Sequence, residues 1–474
     1  MTSYTDIDEL YRDDSFRDTL ATVDKEGKRI WIYPKKQVGK YYNYRKWVAW
    51  FLLLVLFALP WIKWNGEPLV LFNILERKFI ILGFYFAPQD FYLFGLGMII
   101  LIVCIVLFTV VFGRLFCGWV CPQTIFMEMV FRRIEYWIEG DAGAQVKLNK
   151  SSWTPEKVVK KLSKHGIFFI IAVIISNTFL AYIIGIKDVL LIIREPVSMH
   201  LNGFLAMLAF SFTFYFVFAN LREQVCTTIC PYGRLQGVML DKNSLSVYYD
   251  FVRGEPRQKI RKAIDKIENS AGDCIDCNLC VKVCPTGIDI RNGIQLECIN
   301  CTLCMDACDE VMRKVNRSEG LIRMDSYNGI INQSHSYFNS RSIAYSLILF
   351  LLLGVEGVLL TTRSQVDALV LKTPGLLFQE LEEGSVISNL YNFELINKTA
   401  EPKLIHLVPE KTWITIEMVG NAPVIQPHEK ASGAFFIKIP KDQLESRKTK
   451  IILYLKDGDK TLKKIKTNFL GPVH

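Results

Sequence analysis

Five long apolar segments dominate the pattern of hydrophobic and polar positions along the chain. Each has the roughly 17 to 25 residues that a helix needs to cross a bilayer. A further apolar stretch, 69–86, contains the charged run Glu76-Arg77-Lys78, and charge in the centre of a span is costly in lipid. We therefore predict an interfacial or re-entrant segment there. The five predicted transmembrane helices are Trp47–Trp64, Phe91–Phe112, Ile167–Ile186, Leu201–Leu221 and Ile343–Leu360.

A second apolar pattern lies between the second and third spans. Ile125, Met129, Ile134 and Ile138 recur at helical spacing with charged residues between them. This arrangement is typical of an amphipathic helix that lies on a membrane surface.

The pattern changes after the fifth span, where short runs alternate between apolar and polar residues. Turn signals such as Lys456-Asp457-Gly458-Asp459 separate these runs. Roughly seven strands in about a hundred residues are typical of an immunoglobulin-like sandwich, with another sandwich topology or a β-barrel as the alternative. The predicted strands include 366–371, 387–397, 413–418, 434–439, 451–455 and 462–469.

Basic residues are concentrated in the N-terminal arm, 25–46, and in the loop 113–164, whereas the loop 187–200 has only Lys187 and Arg194. Since basic loops stay in the cytoplasm, five spans predict a cytoplasmic N terminus and an exported C-terminal domain. The net charge of +9 is thereby explained by topology and anionic lipid, and no nucleic-acid partner is expected. All 13 cysteines precede the fifth span, as expected for thiols in a reducing compartment.

Eight of these cysteines form two matching runs. The first is Cys274-x2-Cys277-x2-Cys280-x3-Cys284-Pro285 and the second is Cys298-x2-Cys301-x2-Cys304-x3-Cys308. This spacing is that of two [4Fe-4S] clusters, in which three thiolates of one run bind one cluster and the fourth cysteine binds the other. Structural zinc is the alternative, although it does not require the triple run or the trailing proline.

The interdigitated pattern assigns Cys274, Cys277, Cys280 and Cys308 to one cluster, and Cys284, Cys298, Cys301 and Cys304 to the other. Asp309 follows the second run where Pro285 follows the first. An acidic neighbour disfavours the more negative, reduced cluster, so we expect a lower reduction potential there. Because the cysteine runs indicate two [4Fe-4S] clusters, the protein is predicted to transfer single electrons.

Two further cysteine pairs follow the second and fourth spans, Cys117-x3-Cys121-Pro122 and Cys226-x3-Cys230-Pro231. Cysteines at i and i+4 share one helical face, and both spans are predicted to end on the cytoplasmic side, so the four thiols are expected to meet. They are candidates for copper(I) binding, for a third cluster or for dithiol cycling. The alternative is four buried cysteines that act as small apolar residues.

The predicted fold is thus a polytopic helical membrane protein with a two-cluster ferredoxin-like module and an all-β immunoglobulin-like domain. Its parts are a cytoplasmic N-terminal arm at 1–44, a four-span membrane region with both Cys-x3-Cys-Pro motifs at 45–241, the cytoplasmic two-cluster module at 242–340, the fifth span at 341–362 and the periplasmic sandwich at 363–474.

The segment 113–141, GRLFCGWVCPQTIFMEMVFRRIEYWIEGD, strongly resembles the cytochrome c oxidase accessory proteins called CcoG, FixG or RdxA. The resemblance extends over nearly the whole chain and includes WIYPKK at 31–36, PQDFY at 88–92, the Cys226 motif and the doubled ferredoxin run. It implies a bacterial inner-membrane protein that serves maturation of cbb3-type cytochrome c oxidase by reducing copper(II) to copper(I).

The partners implied by this resemblance are the oxidase, its copper-delivery proteins, membrane lipid, an unidentified electron donor and a second copy of the chain in a homodimer. Cys117, Cys121, Cys226 and Cys230 are then the catalytic candidates. Two rival functions stay open. One is a quinol-linked electron-transfer subunit like those beside nitrate and nitrous oxide reductases, which have similar Cys-x3-Cys-Pro pairs. The other is an assembly scaffold with structural clusters.

Overall fold

The computed structural model describes residues 22–23, 26–64, 66–74, 78–86, 90–259, 272–293, 295–332, 340–375, 377–381, 384–399, 401–420, 423–444 and 446–472. Most of the predicted N-terminal arm and two residues of the charged run, Glu76 and Arg77, lie outside these ranges. The chain divides into two compact units. The first comprises 1–59, 98–181 and 186–353, and the second comprises 60–97, 182–185 and 354–474.

Five helices in the described residues are long and apolar enough to cross a membrane, as predicted. The second and fourth helices have the predicted bounds, whereas both ends of the first, third and fifth differ: the first, third and fifth begin earlier, at Lys40, Pro155 and Ser340, and the fifth ends one residue later. The first helix ends at Trp61, because Lys63–Trp64 instead pairs as a strand with Glu67–Pro68. The third ends at Ile184, because Gly185 has a φ of +93° and a separate helix, Ile186–Arg194, follows. The five helices are Lys40–Trp61, Phe91–Phe112, Pro155–Ile184, Leu201–Leu221 and Ser340–Thr361.

The segment predicted as an amphipathic surface helix is helical but packs inside the first unit. The rings of Phe131 and Phe218 stack with centroids 4.5 Å apart. The intervening charges are buried as ion pairs, with Arg132 2.7 Å from Glu128 and Glu135 2.8 Å from Arg222. The surface prediction is therefore wrong, because paired charges were read as solvated ones. Helix Leu115–Trp119 precedes the segment, whose helices are Pro122–Ile125, Phe126–Phe131 and Arg132–Ile138.

The cysteine-rich part of the first unit has little regular structure. Strand Ser246–Tyr249 pairs antiparallel with Ile322–Asp325, and short helices carry or flank the cysteines. These helices are Phe251–Gly254, Leu279–Lys282, Ile290–Asn292, Leu303–Lys314 and Tyr327–Asn332. The remaining helices of the first unit are Ala142–Lys150, Val197–Met199, Val225–Ile229 and Pro231–Met239.

One carboxylate joins this part to the first apolar helix. Asp306, on Leu303–Lys314, accepts hydrogen bonds from the backbone N–H groups of Tyr41 at 3.0 Å and Tyr42 at 2.7 Å. Helix N-termini carry unpaired N–H groups and a partial positive charge, both of which a carboxylate satisfies. Gly39 leaves room for it, since a Cβ there would lie 2.2 Å from the Asp306 carboxyl carbon.

The apolar stretch 69–86 forms a small antiparallel sheet rather than a re-entrant segment. Its strands are Val70–Asn73, Lys78–Ile81 and Phe84–Phe86. Leu71, Ile80 and Tyr85 are buried together with Ile396 of the C-terminal domain, in the same unit. The apolar side chains of these short strands are therefore buried against other protein side chains.

The C-terminal domain consists of two main antiparallel sheets around one apolar core. In the first sheet the order is Thr415–Met418, Lys430–Pro440, Val386–Asn397 and Val366–Lys372, and Gln379–Leu381 also pairs with Val386–Asn397. The second sheet has the order His406–Pro409, Lys448–Asp457 and Lys460–Leu470, and Lys403–Leu404 pairs separately with Val424–Ile425. All six predicted strands are present. The strands that the sequence pattern missed have two to four residues, too few to show alternation.

Candidate functional site

Four cysteines from both runs line one cavity of the first unit. These are Cys274, Cys277, Cys280 and Cys308, which we name the first cysteine set. Apolar and aromatic side chains, among them Tyr249 and Met312, complete the wall. The predicted grouping across the two runs is thus the one that the chain brings together.

The other four cysteines line a second cavity. Cys284, Cys298, Cys301 and Cys304, which we name the second cysteine set, share this cavity with Val247 and Ile299, and Cys280 also borders it. The two cavities enclose similar volumes. The two sets therefore surround neighbouring cavities of similar size.

The turns that present these thiols use left-handed backbone at matching positions of the two runs. Asp276 and Asn278 have φ values of +50° and +56°, and Asn300 and Thr302 have values of +52° and +64°. Asn and Asp tolerate this conformation better than most residues. It turns the chain around each central cysteine so that the three thiols of a run face inward.

Burial determines the protonation of the bare thiols. Loss of solvent raises the pKa of Cys280 to about 12, of Cys298 to about 11 and of Cys301 to about 12. Neighbouring cysteines raise these values further. A cationic metal reverses this preference, because a coordinating thiol is deprotonated outright.

No three His, Cys, Asp or Glu side chains among the described residues converge closely enough to hold a single metal ion. A tetrahedral zinc site requires such convergence. A cubane cluster instead spreads its cysteine sulfurs around its own bulk. The cavities lined by four thiols therefore fit [4Fe-4S] clusters better than zinc.

The remaining two pairs also meet. We name Cys117, Cys121, Cys226 and Cys230 the four-thiol group. Burial raises the pKa of Cys226 to about 12, and the other three cysteines raise it as well. Thr124, just after the first pair, lies 4.0 Å from the Cys226 sulfur. The sequence prediction that these thiols come together agrees with this geometry.

The two Cys-x3-Cys-Pro motifs have the same backbone geometry, which differs from the predicted continuous helix. The N–H of Cys121 donates to the carbonyl of Phe116 at 2.9 Å, and that of Cys230 donates to Val225 at 2.8 Å. Both second cysteines are extended caps of a new helix that begins at the following proline, a position that proline favours. Each pair therefore spans a break between two helices instead of one helical face.

The four-thiol group adjoins the second cysteine set. Cys117 packs in one apolar cluster with Ile299, Cys301 and Cys304. A Cβ on Gly118 would lie 2.4 Å from the carbonyl oxygen of Ile299, so only glycine allows this approach of the two backbones. The sequence prediction missed this contact, although a glycine between the two cysteines was its available signal.

Two buried arginines at this contact were also missed. Arg45 donates from Nε to the carbonyl of Gly118 at 2.7 Å. Arg114 lies 3.3 Å from Gln236 Oε1, which also accepts from the Cys117 thiol at 3.0 Å. Both arginines belong to basic runs beside predicted spans. Because basic residues beside spans were attributed to membrane topology, the burial of these two arginines was not predicted from the sequence.

Comparisons with known proteins identify the domains. Residues 221–327 match the family described as a 4Fe-4S dicluster domain, 94–143 match a 4Fe-4S binding domain, and 357–472 match the immunoglobulin-like fold at the C terminus of FixG. Protein RdxA of Cereibacter sphaeroides is 33% identical over 79% of this chain and 81% of its own length. The chain belongs to the FixG/RdxA family.

Other family members agree. Protein RdxB of the same organism is 32% identical, with 79% of this chain and 81% of the relative covered. The nitrogen fixation protein FixG of Rhizobium meliloti is 38% identical over 62% of this chain and 57% of its own length. A crystal structure of a FixG-related protein from Vibrio parahaemolyticus aligns at 18% identity and a TM-score of 0.19, covering 23% of this chain and 97% of that one.

The FixG/RdxA membership and the cluster domains make this chain a FixG-like membrane 4Fe-4S electron-transfer protein. The predicted immunoglobulin-like C-terminal domain is confirmed. Two [4Fe-4S] clusters are likewise supported by the dicluster match. The 4Fe-4S binding domain at 94–143 includes Cys117 and Cys121, which belong to the four-thiol group.

Proposed function

We propose that this protein is a membrane cupric reductase that supplies copper(I) for assembly of cbb3-type cytochrome c oxidase. The observation that carries the proposal is the packing of Cys117 in one apolar cluster with Cys301 and Cys304. A soft thiol group lies directly beside a cysteine set that fits an electron carrier. The role in oxidase assembly comes from the family resemblance.

The first and second cysteine sets are proposed to hold the two [4Fe-4S] clusters. When bound, such clusters supply one-electron oxidation and reduction. The apolar walls around the thiols, with Tyr249 and Met312 in one and Val247 and Ile299 in the other, shield most of the ligands from water, although Cys277 is exposed. Solvent exposure is one of the properties that set a cluster's reduction potential.

The four-thiol group is proposed to receive copper at two of its thiols, since no three metal-ligating side chains among the described residues converge on one ion. Each copper(II) ion takes one electron from an external reductant and becomes copper(I). Thiolates bind the softer copper(I) product better than copper(II), so coordination favours the reduction. The buried thiols require copper binding to release their protons, since burial raises the pKa of Cys117 to about 11.

We further propose that the protein lies in the bacterial inner membrane with its N terminus and cluster module in the cytoplasm. The excess of basic residues in 25–46 and 113–164 supports this orientation. The C-terminal domain then lies in the periplasm, where oxidase subunits and copper-delivery proteins are its proposed partners.

A second candidate function is quinol-linked electron transfer, with a third cluster in the four-thiol group. The match of 94–143 to a 4Fe-4S binding domain favours it. Iron analysis distinguishes the candidates, because two clusters contain about eight iron atoms and three contain about twelve. If the protein contains about twelve iron atoms per chain and oxidises quinol, the second candidate function replaces the proposed copper reduction.

The test of cupric reduction uses purified full-length protein that is reduced anaerobically and then freed of reductant. Copper(II) is added with a chelator that is coloured only when it binds copper(I). The wild type is expected to produce copper(I) as its cluster absorbance returns to the oxidised form. Cys117→Ser combined with Cys121→Ser is expected to lose this reaction and to retain the iron of the two cysteine sets.

The matched control is Cys104→Ser, since Cys104 is an exposed thiol within the span Phe91–Phe112. This variant should reduce copper at the wild-type rate. Equal rates in the Cys117/Cys121 variant and the control would show that copper is reduced elsewhere, and no copper(I) from any form would refute the proposed function.

A further inference from the structure

The contact between the second cysteine set and the four-thiol group contains two positive charges without carboxylate partners among the described residues. Arg45 is 2% exposed, and its two terminal nitrogens have no hydrogen-bond partner there. Arg114 is 3% exposed and its Nη1 is also unpartnered. A buried charge without an opposite charge is costly, so a nearby negative group is needed to compensate it.

Both arginines lie beside the second cysteine set. Arg45 Nε donates to the carbonyl of Gly118, and a Cβ on Gly118 would lie within 3.0 Å of the backbone of Ile299 and Asn300, between Cys298 and Cys301. Arg114 Nε donates to Gln236 Oε1, which also accepts from the thiol of Cys117, and Cys117 packs in one apolar cluster with Cys301. The two cations therefore lie between the second set and the four-thiol group.

Among the described residues, the wall of the first cysteine set carries no such unpaired positive charge. It includes Arg291, but this guanidinium lies 2.7 Å from both Asp276 and Asp289. Asp309 directly follows Cys308, a member of this set. The acidic neighbour expected from the sequence to lower a reduction potential thus acts on the first set.

We propose that Arg45 and Arg114 raise the reduction potential at the second cysteine set above that at the first. They are thus positioning residues for the transferred electron. Reduction adds one negative charge, and an uncompensated buried cation stabilises it. An electron in the module then resides mainly beside the four-thiol group. Only this last step rests on the proposed function, because the four-thiol group is its acceptor.

The test is an anaerobic redox titration of the full-length protein followed by EPR. A Cys301→Ser variant, with altered ligation of one cluster, assigns the two signals. Arg45→Met and Arg114→Met are each expected to shift the potential of the second-set signal to a lower value, with a smaller shift at the first set. Arg45→Lys keeps the charge and is expected to restore most of the wild-type potential.

The matched control is Arg323→Met, because Arg323 belongs to the same module but is paired with Asp250 and Asp325. It should leave the second-set potential unchanged. Equal shifts at both clusters, or no shift at either, would overturn the inference. Loss of second-set iron in both methionine variants would show a structural role and would also overturn it. Failure of copper reduction with these shifts intact would refute the proposed function alone.

Discussion

The C-terminal domain closes around aromatic and branched side chains, whereas the two cysteine runs surround cavities lined with thiols. In the sandwich, Tyr391 and Phe435 lie on paired strands with ring centroids 5.6 Å apart, and both are fully buried. In the cysteine module, most backbone around the cavities is irregular and several thiols are neutralised by burial. One part of the chain is ordered by its own core, and the other needs a ligand to complete its interior.

This difference indicates which interactions stabilise the folded state of each part. Burial of apolar area stabilises the sandwich without any cofactor. In the module, the apolar core around Tyr249, Met312 and Ile322 also contains cysteines, so the free energy of cluster binding is expected to add to its free energy of folding. The two parts of one chain should therefore respond separately to iron, to core mutations and to pH.

Removal of iron is expected to have the largest effect. Without clusters, the thiols of both cysteine sets are protonated and no metal holds the loops together, so residues 272–293 and 295–332 should open. The sandwich should persist, because its core contains no cysteine. Limited proteolysis of chelator-treated protein, read by mass spectrometry, checks this. Equal cleavage of both parts would contradict the separation.

Phe435→Ala is expected to have the opposite effect to iron removal, since it should destabilise the sandwich and leave the cysteine module intact. Removing this fully buried ring should lower the free energy of unfolding of the sandwich by about 3–5 kcal/mol, with the iron content unchanged. Hydrogen exchange of the strands Val386–Asn397 and Lys430–Pro440 in the full chain measures the loss. The control is Leu371→Ala, whose side chain is mostly exposed and whose loss should change stability by about 0.5 kcal/mol or less. Loss of iron in Phe435→Ala would show that the two parts depend on each other.

The smallest expected effect is a pH dependence confined to the sandwich. Burial alone would raise the pKa of Asp367, but hydrogen bonds from Lys398 and Lys463 lower it below its usual value. A carboxyl whose pKa is lower in the folded state stabilises the fold above its unfolded pKa of about 3.9, and this contribution is lost as pH falls through the folded pKa. Thermal unfolding between about pH 6 and pH 3 should therefore show decreasing sandwich stability.

Asp367→Asn provides the control for this pH dependence. It should lower the stability at neutral pH and flatten the profile. An unchanged slope would assign the effect to carboxylates other than Asp367.

Much of the fold followed from the sequence because strong patterns agree with local physics. Five apolar segments are long helices, and all six strands predicted from alternation are present. The prediction failed at 124–140, since pattern alone cannot distinguish solvated charges from buried pairs such as Arg222 and Glu135. At 69–86, where we predicted an interfacial or re-entrant segment, the described residues form a small antiparallel sheet, which the apolar pattern did not indicate.

The parts of the candidate site that depend on the spacing of cysteines in the sequence were predictable. The doubled cysteine runs gave the grouping of thiols around each cavity, and the paired Cys-x3-Cys-Pro motifs indicated that four more thiols meet. The roles of Arg45, Arg114 and Asn300 were not predictable, because they depend on which loop faces which. Sequence separation hides such contacts; Arg45 and Gly118 are 73 residues apart.

The carboxylate of Asp306 has a consequence for assembly of the protein. This residue lies between Cys304 and Cys308, yet it anchors the first turn of the helix that begins at Lys40. Ordering of the loop by a bound cluster would therefore also order the start of the first long apolar helix. A chain that has not acquired iron is expected to have a less stable helix start.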